Sequence, residues 1–192
     1  KVYIDFISLL KSKPKIEKIR LVLFQVDFNQ FKEISSTFKP SNFTSFVNNK
    51  IISGKIDSEI EFFFNNENNL DDFITRGKIT NLKAEIMENF VLQNTDFNYL
   101  ADKTDIIIKN ISGEVYPFKI YEGDIKINLS KELKVQTNFK SKINFKSTDF
   151  KDTDIYKNIE YFNTLKDLNA SLNNNLSITF DNTYKVKEFN YK

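Results

Sequence analysis

From Ile52 onward the chain alternates. Ile52, Gly54, Ile56, Ser58, Ile60, Phe62 and Phe64 occupy one parity, and Ser53, Lys55, Asp57, Glu59 and Glu61 the other. A period of two is the signature of a strand with one apolar and one polar face. Similar patterns predict strands at Val2 to Phe6, Ile16 to Phe28, Phe73 to Met87, Phe90 to Tyr99, Asp105 to Tyr116, Phe118 to Leu129, Leu133 to Phe145, Lys166 to Phe180 and Tyr184 to Tyr191. The connections are short and polar, and Asn65 to Asn69 reads as a hairpin tip. Helical spacing is confined to a few stretches between strands. Asn29 can cap a helix over Phe31 to Phe38, and Pro40 with Ser41 can begin another through Phe43 to Val47. Ile155, Ile159 and Phe162 mark a third, over Asp152 to Phe162. Phe118 and Ile120 share one parity while Ile125, Ile127 and Leu129 share the other, so a bulge at Gly123 and Asp124 is expected to restore the apolar face.

The chain also resembles itself. Gly54, Ile56, Ile60, Phe62, Phe64, Leu70 and Phe73 fall opposite Ala170, Leu172, Leu176, Ile178, Phe180, Val186 and Phe189, at a constant offset of 116 residues and without a gap. Internal repetition marks elongated proteins in which each unit stacks on its neighbour. A unit this long holds several strands and a helix. The expected fold is therefore mainly β: an elongated antiparallel sheet with short helices between repeat units. Residues 1–192 are read as a segment of one elongated repeat domain, with about 1–116 as the first unit and 117–192 as a partial second. The chain opens on Lys1 rather than Met and stops within the second copy, so it is expected to be a piece of a longer protein.

Composition narrows the chemistry. The 40% of hydrophobic residues can supply a core, and the twenty Phe and eight Tyr, with few Gly and Pro, favour strands. Abundant Asn and Lys read as mutational bias, which makes Asn counts weak evidence. Net charge is +2, with 28 basic and 26 acidic side chains interspersed. Phosphate-backbone binding needs clustered cations, so nucleic acid is disfavoured, and the basic run Lys11, Lys13, Lys15, Lys18 and Arg20 reads as a solvated turn. There is no His and no Cys, which excludes a Ser-His-Asp triad, a thiolate nucleophile and Cys or His zinc sites. Ser8 with Lys11 and Ser36 with Lys39 match Ser-x-x-Lys, but nothing else of an acyl-transfer site accompanies them. Asp71 with Asp72 and Asp152 with Asp154 fit a turn and a helix start better than an acid-base pair. No enzyme, cofactor or metal is expected.

What remains is the apolar face: Ile56, Ile60, Phe62, Phe64, Ile106, Ile108, Ile125, Ile127, Leu129, Val135, Phe139, Ile143 and Phe145, with Leu172, Leu176, Ile178 and Phe180 in the second copy. One reading makes it the dry core of a structural or adhesion-type repeated β-domain. The other makes it an open groove for acyl chains, because one short helix per copy cannot cover a continuous strip, and an uncovered strip needs an occupant.

The run Ile4-Asp5-Phe6-Ile7-Ser8-Leu9-Leu10-Lys11, then Ile16-Glu17-Lys18-Ile19, a helical stretch, and Ile51-Ile52-Ser53-Gly54-Lys55-Ile56 leading to Phe62-Phe63-Phe64-Asn65 resembles the bacterial AsmA-like family of bridge-like lipid transfer proteins, with its YhdP, YdbH and TamB types. So do Phe90 to Tyr99, Ile107 to Gly113 and Gly123 to Ile127, so that the likeness covers nearly the whole chain. Ala170, where the first copy has Gly54, is a conservative departure. The resemblance implies an elongated, curved antiparallel sheet of the repeating β-groove type, in a periplasmic, non-enzymatic protein that conducts phospholipid from the inner toward the outer membrane. It also implies an inner-membrane anchor outside this segment and envelope partner proteins.

Overall fold

The computed structural model describes residues 1–7, 15–35, 42–87, 90–129, 132–146, 167–181, 183 and 185–192. Ten strands follow one another in space as they do in sequence: β1 (Val2–Ile7), β2 (Lys15–Asp27), β3 (Ile51–Phe64), β4 (Leu70–Met87), β5 (Phe90–Ala101), β6 (Asp105–Val115), β7 (Phe118–Asn128), β8 (Leu133–Lys146), β9 (Asp167–Phe180) and β10 (Val186–Tyr191). Every pairing is antiparallel, and the sheet is a single curved meander, open at β1 and β10 rather than closed into a barrel. Short polar turns between long alternating runs produce this order, because each strand pairs most readily with the one it has just left. Nine inter-strand steps of about 4.8 Å put roughly 43 Å of sheet between the two edges.

Strict alternation fails at one step in each of six neighbouring strands. The side chains that share the apolar face are three residues apart, not two, from Leu23 to Val26 on β2 and from Ile51 to Gly54 on β3. The same holds from Ile79 to Leu82, Leu92 to Thr95, Ile108 to Ile111 and Ile120 to Gly123 on β4 to β7. Gln25, Asn81, Asn94 and Asn110 take left-handed φ angles of 50°, 51°, 47° and 56° within these steps, and Gly54 stands at 147°. Asn tolerates the left-handed region better than most side chains. Two expectations are corrected here. Ile51, not Ile52, is buried, and Ile52 is exposed, because the step at Gly54 reverses the parity. On β7 the register shifts between Ile120 and Glu122, just before Gly123.

The described helices are α1 (Phe28–Ser35) and α2 (Asn42–Lys50), both between β2 and β3. Phe28, expected at the end of a strand, instead opens α1 and is 2% exposed. Its ring lies over Gly54, where a Cβ would come within 3.1 Å, and meets Phe31 edge-on at 5.8 Å. With Val47 it covers Ile51, Ile56, Leu82 and Ala84, the one compact core among the described residues. The helix expected over Asp152 to Phe162 lies outside the described residues.

The sequence repeat is visible in the pairing. Lys18↔Phe63, Ile19↔Phe62, Arg20↔Glu61, Leu21↔Ile60, Val22↔Glu59 and Leu23↔Ser58 join β2 to β3. Lys134↔Thr179, Val135↔Ile178, Gln136↔Ser177, Thr137↔Leu176, Asn138↔Asn175 and Phe139↔Asn174 join β8 to β9, each pair shifted by the same 116 residues. The β3–β4 and β9–β10 hairpins match as well, including an extra residue beside Phe64 and beside Phe180. The equivalence stops at the next strand out, since Val2 pairs with Leu21 whereas Phe118 pairs with Ile143.

Candidate functional site

Directly opposed residues of adjacent strands share a face, so the printed pairs can be followed across the sheet. One row runs unbroken through all ten strands: Val2, Leu21, Ile60, Thr75, Ala101, Ile106, Ile127, Val135, Ile178 and Phe189. A second runs beside it from Leu23 through Ser58, Gly77, Tyr99, Ile108, Ile125, Thr137 and Leu176 to Tyr191. Phe62 joins a third with Ile4, Ile19 and Phe73.

Most of the residues singled out in the sequence thus come together on one face. Phe139 opposes Gly123 and Asn174, Leu172 opposes Ser141, and Ile143 lies between Phe118 and Ala170. Phe64 pairs with Leu70, and Phe180 with Leu133 and Val186, near the hairpin ends. Two residues stand apart. Ile56 is sealed under the helices in the dry core, and Leu129 lies just beyond β7, largely exposed, its amide donating to the Thr104 carbonyl at 2.7 Å. Phe145 pairs with Leu168 through the backbone. The β1–β2 contribution, Val2, Ile4, Ile19 and Leu21, was not singled out beforehand, although Ile19, Leu21 and Leu23 already alternate.

The helices cover this face only near Ile56, Leu82 and Ala84, with Leu92 and Phe97 at the margin. Over the rest no described helix lies across it, and Ile111, Ser141 and Ile143 are buried there as well. Ile60, Ile106, Ile108, Ile125, Ile127, Val135, Leu176 and Ile178 are half-buried among their cross-strand neighbours. At the two edges the row ends in Val2 and Phe189, each 61% exposed.

The opposite face is charged. Arg20 and Arg76 flank Glu59 from β2 and β4, Lys18 reaches Glu61 at 3.3 Å, and Lys140 reaches Glu122 at 2.6 Å. The Glu59 carboxyl is held below its ordinary value, chiefly by the hydrogen bond from Arg76, then by the Arg20 charge against some desolvation. Cross-strand ion pairs of this kind fix register and keep one side wet. The ion pairs thus lie on the side opposite the apolar rows, and Ile74 and Leu100 are exposed among them.

The apolar face also carries polar side chains: Thr95 and Thr137, and a hydrogen-bonded pair at the same place in each copy. The Tyr99 hydroxyl donates to Ser58 Oγ at 2.7 Å, and Ser58 Oγ lies 3.3 Å from Thr75 Oγ1. Tyr99 reaches Ser58 by lying over Gly77, and burial pushes its hydroxyl pKa up against the hydrogen bonds with Ser58 and Thr75. At the residues 116 later, Tyr191 donates to Asn174 Oδ1 at 2.7 Å, and Asn174 Nδ2 donates to Ser141 Oγ at 3.3 Å. The residue types differ, but a hydrogen-bonded pair occupies the same place in both.

A shallow depression of about 540 Å³ crosses β6 to β10 and takes its lining from both parities, including Ile108, Ile125, Lys126 and Gln136. It is an open dip in the sheet, and it does not follow the apolar rows. Among the described residues no group of three acidic side chains converges as a metal site would, and no helix is long and apolar enough to cross a membrane. Comparison with protein-family models, with curated proteins and with solved structures finds no match for this chain.

Proposed function

We propose that this chain is a non-enzymatic, lipid-conducting segment of an AsmA-like envelope protein, moving phospholipid along its apolar face between the inner and outer membranes. The observation that carries the reading is the row from Val2 to Phe189, apolar at every position except Thr75 and uncovered over most of its length among the described residues. At about 0.8 kcal/mol per CH₂, a 16-carbon acyl chain leaving a bilayer would cost roughly 12 kcal/mol in water. Transfer therefore needs continuous apolar cover, and side chains without specific polar contacts let a chain slide without being trapped. The periplasmic setting, an anchor outside this segment and envelope partners belong to the same proposal, and they rest on the sequence resemblance.

The alternative, a structural or adhesion-type β-domain, draws on the dry core under α1 and α2. That core accounts for one corner of the face, and among the described residues no helix packs on the two long rows. The test is mass spectrometry of lipid extracted from protein purified from cells without detergent. Phospholipid of mixed headgroup supports conduction, and a lipid-free, folded protein supports the structural reading.

A further inference from the structure

Three of the out-of-step residues on the sheet are held in the same way. The amide of Gln25 donates to Asp57 Oδ1 at 2.9 Å, that of Asn81 to Asp96 Oδ1 at 2.8 Å, and that of Asn110 to Asp124 Oδ1 at 3.2 Å. In each case the donor is left-handed and the aspartate stands on the following strand: β2 to β3, β4 to β5, β6 to β7. A bulged residue falls out of the ladder, and its N–H needs another acceptor. A carboxylate is a strong one. Gln25 is latched twice, since its Nε2 also donates to Asp57 Oδ2 at 2.6 Å.

The second copy is an internal control. Asn173 stands 116 residues after Asp57, and Ser141 stands 116 after Gln25. There β8 and β9 run from Leu133↔Phe180 to Lys146↔Asp167 without a register shift. The two copies agree as far as Leu23↔Ser58 and Phe139↔Asn174, then part where the latch begins. The same place in the repeat is bulged with the aspartate and straight without it.

We propose that Asp57, Asp96 and Asp124 are positioning residues that hold a transverse crease across β2 to β7, curving the apolar face into a trough, while β8 to β10 stay uncreased. Each bulge bends its strand and adds twist, and neighbouring bulges on successive strands compound the bend. That the crease helps retain acyl chains rests on the lipid-conducting reading above. The crease itself does not.

The chain has no cysteine, so spin labels can be placed cleanly. Labels at Asp71→Cys and Ile86→Cys span the step at Asn81 on β4, and labels at Lys134→Cys and Asn144→Cys span β8. In the triple variant D57A D96A D124A the β4 distance should lengthen by several ångström toward the roughly 50 Å of a straight strand, with the β8 distance unchanged. The triple Asp→Asn variant keeps each Oδ1 acceptor and should hold the original distance. Lipid recovered with the triple alanine variant should fall about threefold or more. An unchanged β4 distance in the folded alanine variant overturns the proposal. Longer distance with undiminished lipid overturns the retention claim alone. Protein without lipid before any substitution contradicts the transport reading and leaves the distances to decide the crease. Should the alanine variant fail to fold, the reverse graft decides: Asn173→Asp with one Asn inserted between Lys140 and Ser141 should shorten the β8 distance, and no change there overturns the proposal.

Discussion

Asn65 and Asp181, 116 residues apart, close the same turn in the same way. Asn65 donates its amide to the Asn69 carbonyl at 2.9 Å, and its Oδ1 accepts from the amides of Glu67 and Asn69 at 2.9 and 3.0 Å. Asp181 donates to the Lys185 carbonyl at 2.9 Å, and its Oδ1 accepts from Thr183 and Lys185 at 2.7 and 3.0 Å. An amide and a carboxylate both offer Oδ1, so the turn survives the change of residue. The charge does not, and the two turns should respond differently to acid.

The Asp181 carboxyl is held below its ordinary value of 3.8, first by the Thr183 hydroxyl, then by the amides of Lys185 and Thr183. A depressed folded value means that its contribution is complete above that ordinary value and is lost as pH falls through the folded one. Asp102 behaves likewise, held down by the amides of Thr104 and Asp105 and the Thr104 hydroxyl. Urea midpoints measured from neutral pH into acid should therefore fall, and D102N D181N should flatten the fall while nearly keeping the neutral value. Asn65→Asp should steepen it. An acid slope untouched by D102N D181N would place the sensitivity elsewhere.

Face and cover predict different failures for similar substitutions. Ile56→Asp buries a charge in the dry core and should unfold the chain, and Leu82→Ala beside it should cost about 2–5 kcal/mol. Ile127→Asp lies on the uncovered row and should leave a folded protein that recovers less lipid. Lys126→Asp, on the exposed face, should change neither by much. Circular dichroism with lipid quantitation separates the three outcomes, and unfolding by Ile127→Asp would move that row into a dry core.

The Tyr99 bridge depends on an empty place at Gly77. A Cβ there would lie 2.1 Å from the Asp57 carbonyl oxygen and 2.8 Å from the Tyr99 hydroxyl, and the first obstacle is backbone, which cannot swing aside. Gly77→Ala should therefore destabilise more than Tyr99→Phe, which removes only the donor to Ser58, a loss of about 1 kcal/mol. Thermal melts of the two variants give the ranking, and the reverse order would mean that β4 shifts freely at Gly77.

Much of this face was legible from alternation. Ile60, Ile106, Ile127, Val135 and Ile178 stand in even-period runs between short turns, and such runs have one way to meet in a meander. The out-of-step residues were harder. A period of two carries Ile52 inward, and only the left-handed Gly54 beneath the Phe28 ring brings Ile51 in instead. Phe28 fits the end of an apolar strand equally well, and what turns it into a helix start is its contact with Gly54 and Leu82, distant in sequence. Asn81, Asn94 and Asn110 look like compositional background in an Asn-rich chain. The usable signal was an Asn inside a three-residue step between apolar positions, as in Ile79 to Leu82 and Ile108 to Ile111.

The central claim is that acyl chains occupy the uncovered row, and site-specific photo-crosslinking in cells tests it most directly. A photoreactive residue at Ile127 or Ile60 should capture phospholipid, while one at Lys126 or Glu59, on the charged face of the same strands, should not. Equal capture on both faces, or capture at neither while the protein is folded, would contradict lipid conduction along this sheet.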